Sequence, residues 1–278
     1  MKIRKKVPSG NMAVFAAVSL TAFLWIIPLF FVLLNSFKTN AEYLASKIAF
    51  PSVIAFSNYA ATMVTMRYLR SFGNSFLITV CSVTGLLALS ILASYKIARV
   101  EGKLSTAVFL LFLCVFVVPF QSIMIPIVVT ARAVGLMNKL IGLIIVYWGL
   151  VTPTAIFMYR GFIYTIPVSL EESARLDGAN TPQILYHILF PLLKPITSTI
   201  AVLLSLQTWN DFLLPLLLLQ SPEKYTIPLA TMRFFQSYNT AWANILAAAV
   251  LGSLPMIILF FTMQRHVISG IINGAVKT

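Results

Sequence analysis

Acidic side chains are scarce in this chain: Asp and Glu together number seven in 278 residues. Three of them, Glu171, Glu172 and Asp177, fall inside one polar stretch, IPVSLEESARLDGANTPQILYHILFPLLKP, at residues 166–195. Carboxylates grouped on a short element are most simply the surface of a solvated loop, and ion pairing with basic groups of another protein is the other use open to them. A second set of polar residues, Gln121, Gln207, Asn210 and Asp211, lies within apolar runs, where burying a polar group in lipid is costly and its presence implies an inward or functional role. Asp211 is the one acidic residue in such a run. Two uses stay open for Asn210 and Asp211: hydrogen bonding between helices, or contact with a solute. Catalysis is not indicated. The sequence holds no His-Glu-x-x-His, no serine elbow and no paired aspartates within an apolar run. His187 and His266 sit at the ends of apolar runs, and Cys81 and Cys114 lie inside them as packing residues.

The elements that hold these residues follow from composition. The chain is 59% hydrophobic and 10% charged, against roughly a quarter charged for a soluble domain, and its mean hydropathy is +0.93. Lipid is the solvent it requires. A soluble enzyme, a disordered regulator and a disulfide-stapled secreted domain are excluded. The net charge of +13 does not form a nucleic-acid-binding stripe, because the basic residues are divided among the segments between apolar runs.

Six stretches are long enough for a helix to cross the hydrocarbon, which takes about 20 apolar residues. They cover about 12–37, 71–95, 105–130, 140–162, 196–220 and 243–264. A seventh uncharged window, Ile48 to Met66, contains Pro51, Ser52, Ser57, Asn58, Thr62 and Thr65, and reads as a loop with amphipathic pieces. The expected fold class is therefore an all-α membrane bundle of six spans forming one domain over 1–278, with a polar loop at 163–195 and a tail at 265–278. Four cations in MKIRKK precede the first span, which favours a cytoplasmic amino terminus. Six spans return the carboxyl end to the same side and put the acidic loop there too. The first apolar run is too long for a cleaved signal and lacks a small-x-small site, so it reads as a signal anchor.

Within the loop, Pro167 suits a first helical position, Glu171 and Glu172 face the positive end of the helix dipole, and Gly178 suits the left-handed residue that ends a helix. Thr181 is positioned to cap a second helix that opens with Pro182, presents Ile184, Leu185, Ile188 and Leu189, and closes at Pro191. Two short helices and a sharp turn are expected.

This loop resembles the EAA loop of permease subunits from ATP-binding-cassette importers. Glu172, Ser173 and Ala174 fill its first three positions, Gly178 the glycine, Ile188 the isoleucine, and Phe190 with Pro191 the end; Ser173 and Phe190 depart mildly from alanine and leucine. The chain is similar to the shorter, six-span permease of maltose-transporter type in FGNSF (72–76), YKIAR (95–99), Pro126, GLMNKLIGL (135–143), MYRGF (158–162), TWNDFLLPLLLL (208–219) and the terminal GIINGAVKT (270–278).

The resemblance implies an alternating-access transport subunit in a bacterial or archaeal cytoplasmic (inner) membrane. It would form half of a pathway for a sugar or oligosaccharide. Its partners would be a second permease, two ATPase subunits and an extracytoplasmic solute-binding protein, with no nucleic acid. No cofactor would be bound by this chain: ATP and magnesium belong to the ATPase, in keeping with the lack of a Gly-x-x-x-x-Gly-Lys-Ser/Thr loop here. Glu171, Glu172, Ser173, Ala174, Asp177 and Gly178 would couple to the ATPase, and Asn273, Gly274, Ala275, Val276 and Lys277 would reach it from the tail. Gln121, Gln207, Trp209, Asn210 and Asp211 are the pathway candidates, with Trp148 and Trp209 either packing anchors or surfaces for sugar stacking. The segment from Ser221 to Ala243 is either a connector or a contact for the binding protein. The alternative class is a secondary transporter driven by an ion gradient, with Asp211 as its coupling carboxylate.

Overall fold

The structure is a computed structural model that describes residues 9–100, 102–235 and 241–275, without the side chains of 9–11, 116, 263 and 265–275. The described chain groups into two compact units, one of residues 1–68 and 231–253, the other of 69–230 and 254–278.

In the first unit, α1 (Ser9–Ser36) is apolar on every side. At 28 residues it is about 42 Å long, enough to cross a bilayer with tilt. None of its apolar window is covered within the chain. Its carboxyl end is tied down by polar side chains. Asn35 donates from Nδ2 to the carbonyls of Phe31 and Lys47 at 2.8 and 3.0 Å. Asn58 does the same for Ser36 and Lys38 at 2.8 and 2.7 Å. Thr39 and Glu42 form a capping box on α2 (Asn40–Ala45). The window at 48–66 contributes only α3 (Ser57–Thr65), nine residues long and far too short to span.

The second unit is built on α4 (Tyr68–Arg99), whose buried face alternates small and branched residues: Ser71, Ser75, Ile78, Ser82, Leu86, Ser90 and Ser94. Small side chains allow helices to approach closely in lipid. At Gly85 the approach is closest, since a β-carbon there would lie 2.4 Å from the Trp148 ring, while Trp148 Nε1 donates to the Ser82 carbonyl at 3.0 Å. Trp148 is thus a packing anchor.

The third expected span, 105–130, is two helices, α5 (Lys103–Val117) and α6 (Phe120–Ala133), bent by 101° at the break before Pro119 and Phe120. Pro119 lacks the amide that a continuing helix needs. Helix α7 (Leu140–Ile163) follows and packs against α5. After α8 (Ser169–Leu176) and one turn of α9 (Thr181–Gln183), the chain runs through a π-helical segment, Ile184–Leu189, into α10 (Phe190–Asn210), which lies on α7.

Two sequence expectations are corrected here. The cap of the second loop helix is Asn180, which accepts from the Gln183 amide at 3.0 Å while Gln183 Oε1 accepts from the Asn180 amide at 2.8 Å; Thr181 is already helical. Pro191 does not close the helix. The preceding Phe190 amide bonds five residues back, to Leu185, and this wider turn makes room for a proline ring that would otherwise press on the carbonyl four residues behind it. The fifth apolar helix accordingly begins at Thr181, ahead of the expected 196, and ends at Asn210. Beyond it come α11 (Leu213–Leu218), a 3-10 turn at Pro222–Lys224 and α12 (Ile227–Thr231), and then α13 (Trp242–Ala275), which runs from the first unit into the second.

Among the described residues five helices are long and apolar enough to cross a membrane, and the bent α5 and α6 pair makes a sixth when counted as one span. The core of the second unit is formed by Ile78, Leu86, Leu143, Ala155, Ile156, Tyr159, Ile163, Leu193 and Ile200.

Candidate functional site

The helical knob between α7 and α10 is closed by backbone geometry at its carboxyl end. Gly178 adopts φ +86°, where a side chain would be strained. Its amide bonds the Arg175 carbonyl at 3.0 Å, and the Ala179 amide reaches back to Ala174 at 2.9 Å. These are the paired bonds of a Schellman motif. The Asn180 capping box starts the next helix at once, so the turn is short and its orphan backbone groups are satisfied.

Side-chain burial on α8 inverts the usual order. Its buried side chain is Glu171, 2% exposed, while Leu176 is 89% exposed. Glu171 was expected to face a partner protein and is instead turned into its own chain. Its Oε1 accepts from Arg99 Nε at 2.6 Å and its Oε2 from the Tyr95 hydroxyl at 3.0 Å. Arg99 also donates from Nη2 to the Ile166 carbonyl at 2.9 Å. The remaining loop candidates point outward: Glu172, Ser173 and Asp177 are exposed and Ala174 is half-buried. A cleft of about 290 Å³ lies behind the turn, lined by Asp177, Gly178, Ala179, Gln183, His187 and Ile188.

The polar residues of the fifth apolar run gather elsewhere. Gln207, Asn210 and Asp211 line one cavity of about 410 Å³ together with Tyr147, Phe120, Ile123 and Leu150. Tyr147 donates its hydroxyl to Asp211 Oδ2 at 2.8 Å. The other oxygen, Oδ1, accepts from the amides of Leu213 at 2.9 Å and Leu214 at 3.4 Å, which caps α11. Asn210 donates back to the Leu206 carbonyl at 2.9 Å. Asp211 therefore joins two helices and starts a third, and its two oxygens have three donors around them. Two candidates fall away from this cavity. Trp209 is buried with its ring edge-on to Phe72 at 5.7 Å. Gln121 is exposed in the first turn of α6 and does not line the cavity. Of the tail candidates, Asn273, Gly274 and Ala275 end α13 with side chains outside the described set, and Val276 and Lys277 lie outside the described residues.

Sequence reasoning missed Arg99, Tyr95 and Tyr147. Arg99 and Tyr95 stand in the YKIAR segment whose resemblance was noted, but their partner lies more than 70 residues away along the chain, and no local pattern joins them. Tyr147 carries no mark at all within an apolar run.

A bundle of apolar helices with a rigid polar turn at one end belongs to a known class. The chain is a member of the family of binding-protein-dependent transport system inner membrane components, whose pattern matches residues 85–273 and so takes in both the knob and the cavity. Its relatives include the probable starch degradation products transport system permease protein AmyC of Thermoanaerobacterium thermosulfurigenes, 35% identical over 91% of this chain and 92% of that protein. The melibiose/raffinose/stachyose import permease protein MelC of Bacillus subtilis (strain 168) is 36% identical over 90% of this chain and 91% of its own length. In fold the chain is similar to a solved bacterial ABC transporter that imports the acidic polysaccharide alginate, with a TM-score of 0.79 at 21% identity over 94% of this chain and 98% of that one.

Proposed function

We propose that this chain is a transmembrane subunit of an ATP-driven carbohydrate importer, forming half of a solute pathway and coupling to a separate ATPase through the knob at 169–180. The observation that carries the reading is the inverted burial of α8. Its tip presents Leu176 and the carboxylates of Glu172 and Asp177, a mixed apolar and acidic surface suited to a cleft with basic residues on its rim. A helix fixed at both ends transmits displacement, whereas a flexible loop absorbs it. Starch degradation products and melibiose, raffinose and stachyose are the cargo in the names of its relatives, and these support a neutral oligosaccharide here.

Coupling then runs as a cycle. A loaded binding protein docks outside, nucleotide draws the ATPase pair together, the knobs move and the pathway opens outward; hydrolysis resets it. Gln207, Asn210 and Asp211 are the pathway residues favoured by their shared cavity. Residues 273–277 are proposed to reach the ATPase pair, and 221–243 to face the binding protein. Both termini are assigned to the cytoplasm. The ion-gradient alternative is disfavoured by Asp211, because a carboxylate that caps a helix and holds Tyr147 already has a structural use.

The test is reconstitution in proteoliposomes with the second permease, the ATPase and the binding protein. Raffinose or malto-oligosaccharide uptake is expected only with ATP and all components, and is expected to persist in the presence of an uncoupler. Uptake by this chain alone that collapses with the ion gradient would overturn the reading.

A further inference from the structure

We infer that Arg99 and Glu171 form a clamp that delivers motion of the knob to α4 as well as to α10; the inference rests on the importer reading above. Helix α8 has eight residues, too few to be stable alone in water. It must be held from outside. At its carboxyl end the Schellman turn and the Asn180 box lock it to α9 and hence to α10. At its start the N-cap residue, Val168, makes no side-chain cap.

Glu171, in the first turn, supplies the missing attachment by bonding Arg99 and Tyr95, which are one turn apart on α4. The guanidinium fork is used on two targets, the carboxylate and the Ile166 carbonyl just before Pro167, so Arg99 grips both sides of the bend that leads into α8. A lysine has the charge but not this planar pair of donors. The pair is nearly dry, with side chains 10% and 2% exposed. Breaking it leaves a buried charge uncompensated, which makes separation of α8 from α4 unfavourable. Force on the exposed tip then moves two transmembrane helices, one through the chain and one through the ion pair. Arg99 and Glu171 are positioning residues in this scheme: neither presents its charge to the motor.

Single substitutions leave an orphan charge, so the decisive variant is the double neutral one, Arg99→Gln with Glu171→Gln, studied in the reconstituted complex. Expected are normal co-purification of the ATPase and ATP hydrolysis within about twofold of the unaltered complex, with at least tenfold less solute moved per ATP. The exchanged pair, Arg99→Glu with Glu171→Arg, is expected to recover part of that loss. Unchanged solute per ATP overturns the clamp. Loss of ATPase co-purification also overturns it, because Glu171 would then be a motor contact.

A second readout is independent of transport. Spin labels at Lys96→Cys on α4 and Leu176→Cys on the knob, with Cys81 and Cys114 replaced by serine, report the separation of the two helices. The distribution is expected to be narrow in the otherwise unaltered chain and broad in the double glutamine variant. Equal widths overturn the clamp. A complex that fails to import with the unaltered chain overturns the importer reading instead, and the label widths still decide the clamp.

Discussion

Asp211 is held within an apolar run by three donors: the Tyr147 hydroxyl and the amides of Leu213 and Leu214. Its oxygens do the work of a cap, and an asparagine oxygen can also cap. Asp211→Asn is therefore expected to support ATP-driven uptake within a few fold of the original, while Asp211→Ala lowers stability by about 1 to 2 kcal/mol, measured as thermal unfolding in detergent. An ion-coupling carboxylate would respond differently, with uptake abolished by asparagine. Glu42 gives a pH-dependent case outside the spans. The Ser52 hydroxyl, followed by the backbone amides of Thr39 and Ser52, holds its carboxyl down to about 2 from an ordinary 4.5. Since the folded value is the lower one, the stabilisation is complete above about 4.5 and is lost as pH falls through about 2. Amide exchange across residues 40–56 is expected to accelerate in that window, and Glu42→Gln is expected to remove the pH dependence. Persistence of the same acid transition in Glu42→Gln would assign it to another group.

The knob as an element depends on Gly178 more than on any side chain it displays. Proline fixes φ near −65° and cannot reach the +86° seen there, and alanine reaches it at a cost of about 1 to 2 kcal/mol. Gly178→Pro is expected to abolish ATP-driven uptake while the chain still reaches the membrane, and Gly178→Asn, whose side chain tolerates the left-handed region, to retain most of it; uptake in vesicles normalised to membrane content checks both. This glycine was legible in the sequence because a helix stop is a local signal, and so were the dipole-facing glutamates. What the sequence could not display was which glutamate turns inward. Glu171 and Glu172 are adjacent and chemically alike, and only the direction of α4, set by packing along its serine face and against Trp148, brings Arg99 beneath one of them. The π segment was hidden for a related reason. Pro191 reads as a helix stop on local rules, yet the tertiary packing of α10 on α7 keeps the helix running, and the backbone accommodates the ring by a wider turn. The break at Asn210 was missed because Asp211 within TWNDFLLP was read for its charge and not as the cap of a new helix.

At the scale of the molecule, the number of crossings decides what every loop faces, and contacts within the second unit constrain it. At the start of α4, Asn74 donates to the carbonyls of Glu223 and Tyr225 at 2.9 and 3.0 Å. The same 218–225 segment is tied to Asn138, whose amide bonds the Leu218 carbonyl at 2.7 Å and whose Oδ1 accepts from the amides of Gln220 and Ser221, both at 3.1 Å. The far end of α4 is bonded to the knob through Arg99. The loop at 134–139 therefore shares one end of this unit with the start of α4, and the knob shares the other end with its finish. Since α5 begins just after α4 ends and α6 leads into that loop, the bent pair must travel the length of the unit. This path supports our proposal that the bent pair is one crossing in spite of its break. With six crossings and the basic start inside, as proposed, the knob would be cytoplasmic; with five it would be on the outer side, away from any ATPase. In a background lacking Cys81 and Cys114, a membrane-impermeant thiol reagent is expected to label Lys139→Cys and Gln220→Cys from outside intact cells, and to label Leu176→Cys only after the membrane is opened. Labelling of Leu176→Cys in intact cells would put the knob outside and would remove the coupling assignment along with the six-span topology.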